Sequence, residues 1–306
     1  MKKWLVAILL LVGSLGGFFW WAALDAAAPA RADGVFALGA YRALVADDPA
    51  EALPKEIRVE FVGGAARPAF AVQAGAMGAR EIAYTSFQIV APAGDTIIDA
   101  PVDRAQGEAM TGEGFTFSDA AYERVLTAMA NAATIAVTHE HADHVTAIAR
   151  HPAPAAIAPH LALTSIQRDA LAPLARGAVL APAIAAIAPL SLSAPTRIAP
   201  GIVMIPAAGH SPASVVFYVK TSAREYLFIG DIAWAMSNIT ELTGRPRFLG
   251  WIIRGVDTGR DQVLAQIRAL HDLAASEPSL VILPAHDAAY LRALVASGIL
   301  TERFAP

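Results

Sequence analysis

The stretch "VTHEHADHVTAIA", Val137 to Ala149, contains three of the eight histidines of this 306-residue chain. Its centre has the spacing His-x-His-x-Asp-His, formed by His139, His141, Asp143 and His144. The preceding "TIAVT" has the pattern of a short apolar strand, and α/β folds gather ligand sites at the carboxyl ends of strands. His139 and His141 can then face one point, while Asp143 and His144, at the start of the next helix, face an adjacent one. The spacing therefore predicts that one segment serves two metal ions.

Three more ligand-type residues follow apolar strands elsewhere in the chain. His210 lies in "AAGHSPAS", Asp231 in "LFIGDIAW" and His286 in "LVILPAHD". The chain has no cysteine, so a metal must be held by imidazole and carboxylate groups. The remaining histidines lack this setting, and we assign them to surface or helix positions: His151, His160 and His271.

Composition limits the class of partner. Charged residues make up 16% of the chain, the formal net charge is -4, and no cluster of Lys or Arg follows Lys3. Proteins that bind nucleic acid through its phosphates need a basic surface, so we expect no nucleic-acid partner. A small-molecule substrate fits this composition better.

The N-terminus has the pattern of a targeting segment. Lys2 and Lys3 precede an uncharged run from Trp4 to Leu24, and "ARAD" offers a cleavage site after Ala32. The run also approaches membrane-spanning length, and Phe18 to Trp21 would suit an interfacial aromatic belt. We therefore expect residues 1–32 to be either a cleaved signal peptide or a membrane anchor through residues 4–24. Residues 33–306 would form one domain in the periplasm or another extracytoplasmic space, released or attached to the inner membrane.

Hydrophobic patterns predict an alternation of strands and helices. Helices are expected at Gly34 to Leu53, from Ser118 to Ala130, and from Thr258 to Ser276. Strands are expected at Ile57 to Val62, within Ile82 to Ala100, and in the later segments "GIVMIPA", "SVVFYVK", "EYLFIGD" and "LVILP". The pattern indicates an α/β fold.

The ordered series "THEHADH", "GHSPAS", "GD" and "AHD" resembles the metallo-β-lactamase superfamily of hydrolases, over roughly Ile82 to Asp287. The resemblance implies a four-layer αβ/βα sandwich with the metals in a cleft along one edge of the paired sheets. It further implies a division of the ligands by position. The first metal would be bound by His139, His141 and His210; the second by Asp143, His144 and His286; and Asp231 would bridge the two.

Two other positions are compared with the same family. Asp99, in "TIIDAP", resembles a carboxylate of this family that contacts the metal-binding residues without binding the metal itself. Its flanking residues differ from the usual Asp-Thr-Gly. Ala213 replaces a common glycine in the third motif. The donor set suits Zn²⁺, which we expect in both positions, although Mn²⁺ and Fe²⁺ accept the same atoms.

This ligand set indicates metal-assisted hydrolysis. Two dications about 3.5 Å apart can share one water and supply hydroxide near neutral pH. Asp143 would act as the catalytic residue that orients this bridging hydroxide, and the second metal would stabilise the oxyanion. An ester, lactone, thioester, amide or phosphodiester could be the substrate.

Three functions stay open on the sequence alone. The first is an exported hydrolase of a small ester or lactone, the second a periplasmic β-lactamase-like amidase, and the third an inert metal-binding scaffold. The "AHD" ending resembles acyl-homoserine-lactone lactonases, but Trp234 stands where those enzymes tend to carry a tyrosine. We expect Trp234 to line an apolar pocket rather than to transfer a proton.

Overall fold

The computed structural model of the protein describes residues 2–305. In chain order its strands are β1 Glu56–Pro68, β2 Ala79–Val90, β3 Thr96–Ile98, β4 Thr116–Phe117, β5 Thr134–Ala136, β6 Thr196–Ala199, β7 Ile202–Pro206, β8 Val215–Lys220, β9 Glu225–Gly230, β10 Leu280–Pro284 and β11 Thr301–Glu302. The helices are α1 Lys2–Phe19, α2 Leu38–Leu44, α3 Ala69–Val72, α4 Arg104–Thr111, α5 Asp119–Asn131, α6 Ala142–Ala149, α7 Pro154–Ile157, α8 Ser165–Asp169, α9 Pro182–Ala185, α10 Met236–Thr240, α11 Leu249–Ile252, α12 Arg260–Ser276 and α13 Ala288–Ala296.

The strands form two sheets. The first has the order β11-β1-β2-β3-β5, with β4 paired to β1, and the second has the order β10-β9-β8-β7-β6. Parallel pairing occurs between β3 and β5, between β9 and β10, and between β1 and β11, whereas the other pairs are antiparallel. Three of these parallel strands, β5, β9 and β10, precede His139, Asp231 and His286, whereas His210 follows the antiparallel strand β7.

The two sheets pack face to face. Phe87 of β2 meets Phe228 of β9 edge to face, with ring centroids 5.1 Å apart. In β8, Phe217 faces the first sheet, while its neighbour Tyr218 packs with the residues of α12 on the other side. Because both faces of β8 and β9 are buried, the sequences of these two strands are almost uninterrupted apolar runs.

Helices cover the outer face of each sheet. Val125 of α5 and Val145 of α6 pack with Ile135 on the first sheet. Ile267 and Leu270 of α12 pack on the second sheet. The order helix, sheet, sheet, helix is the four-layer αβ/βα sandwich that the sequence predicted.

Most predicted elements are present with small shifts of their ends. Ser118 begins α5 as expected, because its hydroxyl accepts a hydrogen bond from the backbone N–H of Ala121 at 3.2 Å. The helix predicted over Gly34 to Leu53 is wrong in its extent, since only α2 and a short 3₁₀ turn form there. Pro49 lies inside that range and cannot continue a helix, because it lacks an N–H and its ring clashes with the preceding turn. The carboxylate of Asp48 also binds the Arg197 side chain at 2.8 Å and the Gly201 N–H at 2.7 Å, which ties the chain to the second sheet.

The apolar N-terminal run is helical. Helix α1 continues into a π-helical turn, Trp20–Leu24, and Lys3–Leu24 is long and apolar enough to cross a membrane, with a mean hydropathy of 2.1. No other helix within residues 2–305 meets both conditions. Almost none of this segment is buried against the protein.

The contact between the two sheets should dominate stability. Phe228→Ala removes a buried ring from this contact, and we expect the free energy of unfolding to fall by about 3–5 kcal/mol. Val179→Ala is the matched control, because Val179 is 76% exposed and its truncation should change this energy by less than about 0.5 kcal/mol. Chemical denaturation in detergent measures both variants. Equal effects would contradict the packing described here.

Candidate metal centre

The site forms where strands of both sheets end. His139 follows β5 of the first sheet, whereas His210, Asp231 and His286 follow β7, β9 and β10 of the second. Gly230 allows the two sheets to meet there, because it has a φ of +50° and a Cβ atom at this position would lie 2.7 Å from the Cβ of Thr138. The small residue before Asp231 thus brings the carboxylate into the cluster.

Three imidazoles converge on one point. The Nε2 of His139 lies 2.9 Å from the Nδ1 of His141, and the Nε2 of His210 lies 3.1 Å from that same Nδ1. These three nitrogens form the first of two groups that could hold a metal ion. They belong to the three residues that the resemblance assigned to the first metal.

A second group lies beside it. The Nε2 atoms of His144 and His286 are 3.3 Å apart, and the Asp143 carboxylate lies 3.4 Å from the Nε2 of His286. Asp231 belongs to this group as well. All three residues that the resemblance assigned to the second metal are therefore together.

Asp231 faces both groups at once. Its Oδ2 lies 3.5 Å from the Nε2 of His210, on the side of the first group. Its Oδ1 lies 3.0 Å from the Nε2 of His286 and 3.4 Å from the Nε2 of His144, on the side of the second. One carboxylate thus has an oxygen directed at each group, which is the arrangement that a bridging ligand requires.

Outer contacts orient the imidazoles. The Nδ1 of His144 lies 2.9 Å from the carboxylate of Asp99, and the Nδ1 of His210 lies 3.0 Å from that of Asp257. The Nδ1 of His286 donates to the carbonyl oxygen of Ala83 at 2.7 Å. Each contact binds the Nδ1 of one imidazole and so directs its Nε2 toward the centre. Metal-binding histidines are commonly oriented by an acceptor of this kind.

Asp99 holds its position by an unusual backbone. It has a φ of +67°, in the left-handed region that few non-glycine residues adopt. Its carboxylate also accepts from the backbone N–H of Thr138 at 2.7 Å, just before the histidine motif. The supporting role that the sequence suggested for Asp99 agrees with these contacts.

The centre has hydrogen-bond acceptors that face one another, an arrangement that a bound cation would stabilise. Asp231 Oδ1 is buried and has no hydrogen-bond donor within the described part of the chain. The Nδ1 of His286 carries the hydrogen that it donates to Ala83, so in the neutral ring the lone pair of Nε2 faces this Asp231 oxygen. Two acceptors at that distance need a proton or a metal ion between them. The donor set of neutral imidazole and carboxylate suits Zn²⁺ and similar ions.

The pKa shifts agree with this need. Burial opposes charge on His286, but the Asp231 carboxylate outweighs burial and raises the pKa of His286. Burial likewise opposes ionisation of Asp231, yet His286 and His144 hold the pKa of Asp231 well below its usual range. Protons and metal ions therefore compete for the same atoms, and metal binding releases protons.

The sequence motifs do not predict two residues that contact the centre. Asp257 lies in an irregular segment, not at a strand end, and Arg245 is almost wholly buried. The Arg245 guanidinium binds the Asp257 carboxylate, Nε to Oδ2 at 3.0 Å, and so supports the residue behind His210. The position of Arg245 beside Asp257 and His210 depends on tertiary contacts, so sequence patterns do not predict it.

The three histidines assigned elsewhere do lie outside the centre. The surface or helix assignment is wrong for His151, which is buried in the loop after α6, where its Nε2 donates to the carbonyl oxygen of Leu126 at 3.0 Å. His160 lies 3.3 Å from the carbonyl oxygen of Ala133, and His271 contacts Asp272 on the surface of α12. Neither metal-type group includes any of them.

A cavity of about 530 Å³ opens onto the centre. Asp143, Asp231 and His286 contribute to its wall, together with apolar side chains from four other segments: Ile82, Met110, Trp234, Leu249, Ile253 and Val256. Trp234 also donates its indole N–H to Asp231 Oδ2 at 2.7 Å. Trp234 therefore touches both the cavity and the central carboxylate, which is more than the pocket role that the sequence suggested.

The chain matches no family model, and no curated protein is similar to it in sequence. Solved structures are similar in fold. An N-acyl homoserine lactone hydrolase, with N-hexanoyl-L-homoserine bound at its catalytic metal center, has a TM-score of 0.57 and 13% identity over 79% of this chain and 96% of its own. A quorum-quenching N-acyl homoserine lactone lactonase has a TM-score of 0.54 and 14% identity over 79% and 94%.

A third structure is a probable metal-dependent hydrolase from Staphylococcus aureus, with a TM-score of 0.57 and 14% identity over 77% of this chain and 90% of its own. At 13–14% sequence identity, these similarities show a shared fold and nothing further. The two sheets, their covering helices and these likenesses together show that the chain has the metallo-β-lactamase fold that its histidine motifs predicted.

Proposed function

We propose that the protein is an exported dinuclear metal-dependent hydrolase of a small ester or lactone. The observation that carries the proposal is the position of Asp231, with one oxygen toward each of two groups of ligand-type side chains. Carboxylates and imidazoles buried together in this way are costly unless cations compensate the negative charge.

Each part of the centre has a role in this proposal. His139, His141 and His210 would hold one metal ion, Asp143, His144 and His286 the other, and Asp231 both. Two divalent ions bound in this way, most readily Zn²⁺, would supply a hydroxide nucleophile at neutral pH and polarise the substrate carbonyl. Asp143 lines the cavity, where its carboxylate can accept a hydrogen bond from the attacking water and orient it.

The cavity supports an acyl substrate. Its volume lies within the range of sites for small organic ligands, and its walls are mainly apolar. The N-acyl homoserine lactone hydrolase of the same fold binds an acylated product at its metal center, which supports an ester or lactone for this chain. The apolar wall would bind the acyl chain while the reacting carbonyl lies at the metal centre.

Export is supported by the N-terminal segment. Lys3–Leu24 is one helix of membrane-spanning length, and Lys2 and Lys3 favour a cytoplasmic N-terminus. The domain that follows would then lie outside the cytoplasm, in the periplasm of a cell with two membranes.

A hydrolysis screen tests the proposed function. The metal-loaded protein is offered lactones, esters, thioesters, phosphodiesters and β-lactams, and we expect turnover of lactones or aryl esters. Asp143→Asn should lower kcat by about a hundredfold or more, since it removes the carboxylate that orients water. Asp169→Asn is the control, because that carboxylate is on the surface and should leave kcat unchanged.

Other outcomes distinguish the alternatives. A preference for β-lactams would favour the amidase, and two bound metals without turnover of any class would favour the inert scaffold. Full activity of Asp143→Asn would contradict the role of Asp143.

Trp234 should act in two separable ways. Trp234→Phe keeps an aromatic wall but removes the N–H that binds Asp231, so we expect a lower kcat with little change in KM. Trp234→Ala also removes the wall, so KM should rise, and more for long-chain than for short-chain esters.

Steady-state kinetics on two chain lengths measure both effects. Wild-type kcat in Trp234→Phe would exclude a role through Asp231. Equal KM changes for both chain lengths in Trp234→Ala would exclude the pocket role.

A further inference from the structure

An exposed apolar rim surrounds part of the cavity mouth. Ile252 is 72% exposed, Trp251 56% and Phe70 of α3 47%. Phe70 contacts Phe248 with ring centroids 6.2 Å apart, which joins the two segments of the rim. Apolar side chains exposed together at the mouth of a cavity mark an interaction site.

Two of the helices that line the cavity, α3 and α11, also carry the rim. Ala71 of α3 and Leu249 of α11 face the cavity, as does Ile253 just after α11. Their neighbours Phe70, Trp251 and Ile252 are exposed. Whatever covers the rim therefore lies at the entrance to the metal centre.

The rim is continuous with the aromatic end of the N-terminal helix. Trp251 stacks on Phe18 at 6.2 Å between ring centroids and contacts Trp21 at 5.7 Å. The Arg247 guanidinium lies 4.8 Å from the centroid of the Trp21 ring. Aromatic residues at the end of a membrane-spanning helix lie at the level of the lipid headgroups, so a membrane anchor formed by this helix would place Trp251 at that level as well.

Contacts after the helix hold this geometry in place. The backbone N–H of Phe248 donates to the carbonyl of Ala22 at 3.1 Å, and that of Gly244 to the carbonyl of Ala26 at 2.8 Å. Ala22 and Ala26 are both buried. Cleavage after Ala32 would remove every one of these contacts, which argues that the segment is retained.

We propose that the N-terminal helix is a retained anchor and that the rim rests on the lipid bilayer, so that the cavity opens toward the membrane. The occupant of the rim is the bilayer surface, because the rim packs against Lys3–Leu24, the one helix within residues 2–305 that is long and apolar enough to cross a membrane. Arg247 at the helix end and the exposed Arg254 at the cavity mouth would meet lipid phosphates. Resting on the proposed function, this geometry identifies the substrates as long-chain esters or lactones that partition into the membrane.

Fluorescent labelling tests the membrane contact in the full chain. The protein has no cysteine, so Ile252→Cys and Val179→Cys each offer one thiol for a polarity-sensitive dye. In vesicles of phosphatidylethanolamine and phosphatidylglycerol, the dye at position 252 should shift to the blue and be quenched by spin-labelled lipids. The dye at the exposed position 179 should be quenched by aqueous iodide instead.

Two labelling results would overturn the proposal. The first is equal iodide quenching at both positions. The second is shielding at position 252 without lipid quenching, together with disulfide-linked dimers of Ile252→Cys, which would make a second copy of the chain the occupant. N-terminal sequencing of the protein from membranes should find the helix present, and a chain starting at Asp33 would contradict retention.

Kinetics test the substrate class. Trp251→Asp combined with Ile252→Asp should lower kcat/KM about tenfold for a long-chain ester or lactone carried in vesicles. A short-chain, water-soluble substrate should be unaffected, and Val179→Asp should affect neither. Equal loss on both substrates, or loss on neither, would overturn the inference. If wild type turns over no substrate, the proposed hydrolase fails, while the dye at position 252 still decides the membrane contact.

Discussion

The Asp231 carboxylate, placed between two groups of imidazoles, is the interaction on which the site depends. It carries negative charge in a buried setting and has ligand-type nitrogens on both sides. An isolated carboxylate in that position would be costly to bury, since removing charge from water without a partner is unfavourable. Cations bound on both sides would make the same carboxylate a bridging ligand. The chemistry proposed here follows from that electrostatic requirement.

The site residues come together because strands of both sheets end at the same edge of the sandwich. The face-to-face packing of the sheets, with Phe87 against Phe228, places the ends of β5, β9 and β10 together. Short loops after these strands then hold the ligand-type residues at fixed positions. Supporting contacts from Asp99, Asp257 and the Ala83 carbonyl set the direction of each imidazole. The rigid strands fix the distances between the ligand-type residues, and the outer acceptors fix the orientation of each imidazole ring.

The sequence predicted the centre better than its surroundings. The seven ligand-type residues follow strands whose apolar patterns are strong, and short spacing constrains how His139 to His144 can be arranged. Asp257 and Arg245 were not predicted, because they reach the centre from an irregular segment whose path depends on tertiary contacts. The helix expected over Gly34 to Leu53 was overestimated partly because Pro49, a local signal against a continuous helix, lies within that range. The side chain of Asp48 makes distant contacts that local helix propensity does not contain.

Anomalous diffraction at the zinc absorption edge, from crystals grown with Zn²⁺, tests the central claim most directly. We expect two peaks about 3.5–4 Å apart, one on each side of the Asp231 carboxylate. The first should lie among His139, His141 and His210, and the second beside His144 and His286. A single peak, or two peaks with Asp231 turned away from both, would contradict the dinuclear centre.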